Sequence, residues 1–158
     1  MQIATIVLGL IALFFGFVME HMPMPQLIDW FQPLWVLVTL TLLVYQAPKL
    51  FGLWVAVPIG LLLDAEQGVL MGTHVFTLAV HIFLVQLFFR RIEVFNVFQH
   101  MFVVLVLALL HQMLRFWLSR VLFDFPHPVD IWGPALSSAF VWPWLFALAR
   151  VSLYRFGR

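Results

Sequence analysis

Residues 97–118 have the sequence VFQHMFVVLVLALLHQMLRFWL, a stretch of 22 residues with a single charged side chain, that of Arg115. A helix needs about 20 predominantly apolar residues to cross the hydrocarbon core of a bilayer. This stretch meets that requirement in both length and composition. The segment is therefore predicted to be a transmembrane span.

The composition of the whole chain extends this prediction to the rest of the sequence. Of its 158 residues, 65% are hydrophobic and 9% are charged, whereas an average soluble domain is roughly 45–50% apolar and about 25% charged. The net charge of +1 gives no basic field for nucleic acid. The absence of cysteine excludes disulfides and thiolate metal sites.

We predict an all-α integral membrane protein, a compact bundle of six transmembrane helices that forms a single domain over residues 1–158. Pro33 is expected to open the second span, and Pro48 to end it. The segment 20–32, which two prolines interrupt, is expected to lie along the membrane interface. The predicted spans are residues 3–19, 34–46, 50–63, 70–89, 97–118 and 131–149.

The basic residues predict how these spans are oriented. With the N-terminus in the cytoplasm, six of the eight Lys and Arg residues fall on the cytoplasmic side, which is the bias of the positive-inside rule. Both termini are then cytoplasmic. The six are Lys49, Arg90, Arg91, Arg150, Arg155 and Arg158, and the other two are Arg115 and Arg120.

Small residues line one narrow face of the first span. Gly9, Ala12 and Gly16 are spaced so that they share this face. In membranes, small residues let a second helix approach closely. The face is therefore a candidate for helix docking.

The densest polar motif joins the third and fourth spans, where Gly60 and Asp64 are followed by Gly68, Gly72 and His74. Gly68 and Gly72 could share a close-packed helix face or supply positive φ angles in a turn. Asp64 could bind a ligand or relay protons, since ionisable groups inside membranes are often functional. The favoured alternative is that Asp64 caps the fourth span or pairs with a cation.

Arg115 lies near the outer end of the fifth span. A desolvated Arg usually finds a carboxylate, and Asp64 and Glu20 are the candidates at the same depth. The alternative is that Arg115 extends to the lipid headgroups.

Histidine and serine patterns give no catalytic, cofactor or metal site. His74 and His81 share one face of the fourth span, but a metal would need a third ligand such as His111 or Asp64. Hydrogen bonding between helices is the favoured role. No serine lies in a Gly-x-Ser-x-Gly motif.

Several motifs follow one another along the chain, namely Pro33-Leu34-Trp35-Val36-Leu37, Tyr45, Ala47-Pro48, Gly60-Leu61-Leu62-Leu63-Asp64 with Gly68, Gly72 and His74, Phe98-Gln99-His100, Phe116-Trp117 and Trp142-Pro143-Trp144-Leu145-Phe146. Taken in order, these motifs resemble one family, the bacterial rod shape-determining protein MreD. The chain departs from the family at Gln32, where Arg is frequent, and at Tyr45-Gln46, where an aromatic pair is frequent.

The resemblance implies a non-catalytic subunit of the Rod complex, or elongasome, in the bacterial inner membrane. It implies MreC as the close partner, and MreB, RodA and the elongation-specific penicillin-binding transpeptidase as members of the same complex, which directs lateral peptidoglycan synthesis and rod cell shape. The family is also similar in fold to the substrate-binding membrane subunits of energy-coupling-factor transporters. The alternative hypothesis is therefore a small-molecule-binding transporter subunit, with a pocket lined by Asp64, Glu66, His74 and Arg115.

Overall fold

The computed structural model describes residues 2–23, 25, 29–89, 96–122 and 130–156. Within these residues the chain forms six α-helices and no β-strand, which confirms the all-α prediction. The helices are α1 Gln2–Glu20, α2 Trp35–Gln46, α3 Ala56–Gln67, α4 Thr73–Phe89, α5 Val97–Leu122 and α6 Trp132–Phe156.

One helix stands out by its length and composition. In the described part of the chain, α5 alone, with 26 residues, is both long and apolar enough to cross a membrane. Shorter apolar helices cover Thr5–Glu20, Trp35–Gln46 and Thr73–Phe88. The prediction for residues 97–118 therefore holds in length and composition, and the other five crossings remain predictions.

The helix α2 forms the centre of the bundle. Its residues 36–44 are all buried, because α1, α4 and α6 all pack against it. A helix that is apolar on every side is typical of such a fully enclosed position. The remaining contacts join α3 to α4, α4 to α5 and α5 to α6.

Successive helices alternate in direction, so three C-terminal ends and three N-terminal ends meet at one end of the bundle. Hydrogen bonds from Glu20 to the start of α2, and from Arg115 to the end of α3, mark this end. We call it the Glu20 end. The opposite end holds Tyr45, His100 and Phe146, whose rings are in contact.

The predicted helix starts differ most from the structure at the third helix, and the fourth also begins later than predicted, at Thr73 rather than at residue 70. The third helix begins at Ala56 rather than at residue 50, because residues 47–52 form turns and Leu53–Val55 form a short 3₁₀ helix. Pro58 consequently lies in the first turn of α3, where a missing amide proton costs no intrahelical bond. Likewise α2 begins at Trp35, so Pro33 lies just outside it.

The end of α2 agrees with the prediction. The helix ends at Gln46, two residues before Pro48. Arg90, Arg91 and Arg158, which were predicted to be cytoplasmic, lie outside the described residues, as do residues 24 and 26–28 of the interfacial segment.

Candidate functional site

Side chains from two other helices cap the N-terminus of α2. The amide of Val36 donates to Glu20 Oε2 at 2.8 Å, and the amide of Leu34 donates to Ser138 Oγ at 3.0 Å. The first amides of a helix have no acceptor within the helix, and a carboxylate there is also favoured by the helix dipole. These two bonds join the end of α1 and the start of α6 to the central helix.

The C-terminal carbonyls of α1 are bound in the same region. Gln32 Nε2 donates to the carbonyl of Met19 at 3.1 Å and to that of Glu20 at 2.9 Å. Sequence reasoning did not find this role for Gln32. Gln32 therefore holds the residues just before α2 against the end of α1.

Asp64 is completely buried and caps the start of α4. Its Oδ2 accepts the amide of Gly72 at 2.7 Å. Its Oδ1 accepts both the amide and the Nδ1 of His74, each at 2.8 Å. Because both carboxylate oxygens of Asp64 already accept backbone amides, Nδ1 of His74 is the donor in the bond between the two side chains. This geometry agrees with the prediction that Asp64 caps the fourth predicted span, which is α4.

The glycines around Asp64 have two separate roles. Gly68 and Gly72 have φ angles of 62° and 107°, so they serve the turn between α3 and α4 as in the second alternative. Gly60 instead allows close packing, because a Cβ atom built on it would lie 2.5 Å from the backbone of Val75. The α3–α4 hairpin depends on both properties.

The expected ion pair of Arg115 is not formed. Arg115 donates to Gln67 Oε1 at 3.0 Å and to Gln112 Oε1 at 3.5 Å. In the described residues no carboxylate oxygen lies within 4.0 Å of its guanidinium. Asp64 is already enclosed by donors from α4, and one oxygen of Glu20 binds α2. Arg115 therefore joins α3 to α5 through neutral amide oxygens.

A polar pocket of about 200 Å³ opens at the Glu20 end. Of the four residues expected to line a transporter-like pocket, only Arg115 lines this one. Asp64 and His74 are buried elsewhere, and Glu66 pairs with His21. The polar residues that line it are Glu20, Asp29, Gln32, Gln112, Arg115 and Asp130.

Two of the buried histidines, His74 and His81, form hydrogen bonds between helices. His81 Nε2 lies 2.8 Å from Thr41 Oγ1, whose hydroxyl proton is donated to the carbonyl of Leu37. Since a hydroxyl has one proton, His81 is the donor in this bond between α4 and α2. The rings of His81 and His111 are nearly perpendicular, with centroids 5.6 Å apart. The described residues contain no cluster of three or more potential ligands around a metal position.

The small-residue face of α1 is partly used within the chain. Gly9 packs against the ring of Phe51, and Gly16 against Thr39 and the carbonyl of Trp35. Gly9, Gly16 and Ala12 also line an apolar groove of about 370 Å³ between α1, α2 and α6. We call this the α1–α2–α6 groove.

Tyr45 of the second span and Trp142 and Phe146 of the sixth lie together at the opposite end, whereas Trp35 begins α2 at the Glu20 end. The Tyr45 ring lies 5.8 Å from the rings of both His100 and Phe146. Trp142 is completely buried and stacks on Phe146 at 6.0 Å. Pro143 lies inside α6. These side chains pack the bundle interior.

An exposed ion pair fastens α1 to α3 at the Glu20 end. His21 Nε2 lies 2.6 Å from Glu66 Oε1. Partial burial alone would lower the pKa of His21, but the Phe17 carbonyl and the Glu66 carboxylate outweigh it and raise the pKa above 6.5.

We expect an NMR titration of His21 to show a midpoint above that of an exposed histidine, and Glu66→Gln to lower it. Because the folded-state pKa is raised, the pair contributes its full stability below the ordinary value of 6.5 and loses it as the pH rises through the folded-state pKa. An unchanged midpoint in the Glu66→Gln protein would show that Glu66 does not act on His21.

The fold and these contacts define an all-helical protein that has a helix of membrane-spanning length and whose described buried polar groups cap and join helices. The family model described as rod shape-determining protein MreD matches residues 1–152. The chain belongs to this family, so the resemblance found in the sequence is confirmed. Family members are membrane-associated proteins of rod-shape determination.

A curated relative agrees with this assignment. The chain is 29% identical over 141 residues to the rod shape-determining protein MreD of Haemophilus influenzae (strain ATCC 51907 / DSM 11121 / KW20 / Rd). The match covers 85% of this chain and 83% of the relative. No solved structure matches the chain.

Proposed function

We propose that the protein is a non-catalytic scaffold of the Rod complex that crosses the inner membrane six times and binds MreC. Through that complex it acts with MreB, RodA and the elongation-specific transpeptidase to direct lateral peptidoglycan synthesis. Membership of the family supports the role in rod shape. The binding partners and the six membrane crossings are proposals.

Charge at the two ends supports an orientation with the Glu20 end outside and both termini in the cytoplasm. At the opposite end the described charged residues are Lys49 and Arg150, and the sequence adds Arg90 and Arg91 between α4 and α5. An excess of basic residues is typical of the cytoplasmic side. The described charged residues of the Glu20 end are Glu20, Asp29, Asp64, Glu66, Arg115, Arg120 and Asp130.

The α1–α2–α6 groove is the observation that carries the proposed binding of MreC. The resemblance implies that MreC crosses the membrane once, so it would offer a single apolar helix. Ala12 on α1 and Ala149 on α6 both line the groove. Small residues let two helix backbones approach closely, which is a main source of helix association in lipid.

Filling the groove should weaken this association. We expect Ala12→Leu and Ala149→Leu to reduce MreC recovered with the tagged protein about tenfold, equivalent to about 1.4 kcal/mol. This lies within the roughly 1–3 kcal/mol that overpacking costs. Pull-down from mild detergent, with MreC quantified against the tagged protein, measures the change.

Ala147→Leu is the matched control, because Ala147 is exposed on α6 and does not line the groove. It should leave MreC recovery and cell shape unchanged, whereas the groove variants should give rounder cells. Full recovery of MreC with both groove variants, in a protein that remains monodisperse, would contradict docking in the groove.

The alternative of a transporter subunit that binds a small molecule has less support. Ligand pockets usually enclose about 300–1,000 Å³, and the polar pocket at the Glu20 end encloses about 200 Å³. Purified protein that retains a small molecule would favour the alternative.

A further inference from the structure

A second, much smaller cavity lies beneath the polar pocket of the Glu20 end. It has a volume of about 10 Å³, and its polar lining comes from Glu20, Gln67, His74, His111 and Arg115. Its apolar lining includes Val36 and Leu78. The cavity thus lies where α1, α2, α3, α4 and α5 meet.

Two buried ring nitrogens belong to residues that line this cavity. The side chains of His74 and His111 are 4% and 6% exposed. In the described residues, His74 Nε2 and His111 Nδ1 have no hydrogen-bond partner. Leaving a buried polar group without a partner costs about 1–3 kcal/mol. A ligand that can hydrogen-bond would remove that cost.

The hydrogen bonds of Asp64 determine what His74 can accept. Because Nδ1 carries the proton that Asp64 binds, Nε2 of a neutral ring is an acceptor. The ligand must therefore donate a hydrogen bond to Nε2. A cavity needs about 10–15 Å³ to hold one water molecule, so the volume fits one water and no larger molecule.

We propose that this cavity binds one water molecule that donates a hydrogen bond to His74 Nε2. Gln67, Arg115 and Glu20 offer further polar groups around it, and a buried water typically makes about three hydrogen bonds. The cavity shares Glu20, Leu34 and Arg115 with the polar pocket. The water therefore exchanges with solvent at the Glu20 end, and it places an exchangeable proton beside the buried Asp64–His74 pair.

NMR of the full-length protein in lipid nanodiscs, with ¹⁵N-labelled histidine, tests this site through magnetisation transfer from water to the histidine rings. We expect transfer to His74. His81 is the internal control, because it is buried at 3% exposure, binds Thr41 and does not line the cavity. It should show none.

A variant that fills the cavity completes the test. Val36→Ile adds one methylene group to the lining, and Val44→Ile is the matched control in the same helix, buried but away from the cavity. We expect loss of the transfer in Val36→Ile and its retention in Val44→Ile. Absence of transfer in the unmodified protein, equal transfer to His81, or full transfer in a folded Val36→Ile protein would each overturn the proposal.

Discussion

Asp64→Ala is expected to lower the free energy of unfolding by about 3–5 kcal/mol, because each donor left without an acceptor in a buried site costs about 1–3 kcal/mol. The substitution leaves three buried donors without their acceptor, namely the Gly72 amide, the His74 amide and His74 Nδ1. It also removes the cap at the start of α4. Unfolding in mixed detergent micelles, followed by circular dichroism, measures the loss.

Glu66→Ala is the matched control for this prediction. It removes the same charge two residues further along, where the carboxylate is 35% exposed and pairs with an exposed histidine. Exposed ion pairs contribute about 0–1 kcal/mol, so the control should unfold almost like the unmodified protein. Equal losses in the free energy of unfolding for the two variants would contradict the claim that Asp64 stabilises the fold because it is buried.

Gly60→Ala is expected to have the second-largest effect. The added Cβ atom would lie 2.5 Å from both the Cα and the amide nitrogen of Val75. Because these are backbone atoms, α3 and α4 must separate to accommodate it. Overpacking usually costs about 1–3 kcal/mol, which outweighs the gain of about 1 kcal/mol in helix propensity.

Gly52→Ala is the matched control for Gly60. A Cβ atom at Gly52 would have its nearest neighbours at 3.7 Å, and its φ of −106° suits any residue. The same unfolding measurement should therefore show no loss. A Gly60→Ala protein as stable as the Gly52→Ala protein would contradict the close contact between α3 and α4.

Local sequence patterns were sufficient to predict the number of helices in the described part of the chain and several of their ends. The apolar stretches and Pro48 placed α2 and α5 to within a few residues. The start of α3 was wrong because residues 50–55 are as apolar as the helix that follows, so composition could not separate a 3₁₀ turn from a longer helix. The sequence left two alternatives open for Gly68 and Gly72, a close-packed helix face or positive φ angles in a turn, and the structure shows the second.

The candidate site was harder to predict, because its bonds join residues that are distant in sequence. Ser138 accepts the amide of Leu34 across 104 residues, and no local pattern indicates such a bond. Glu20 was considered as a partner for Arg115, but the helix N-terminus of α2 uses it instead. The bond between Gln67 and Arg115 could not be predicted from the sequence, because it joins residues 48 positions apart.

Labelling of single cysteines tests the proposed membrane arrangement most directly, since the chain contains no cysteine of its own. Asp130→Cys marks the Glu20 end and Pro48→Cys marks the opposite end, both at exposed positions. With a membrane-impermeant maleimide, position 130 should react in intact spheroplasts and position 48 only after the membrane is permeabilised. Reaction of position 48 in intact spheroplasts, or equal reaction of both positions there, would contradict a bundle that crosses the membrane with its Glu20 end outside.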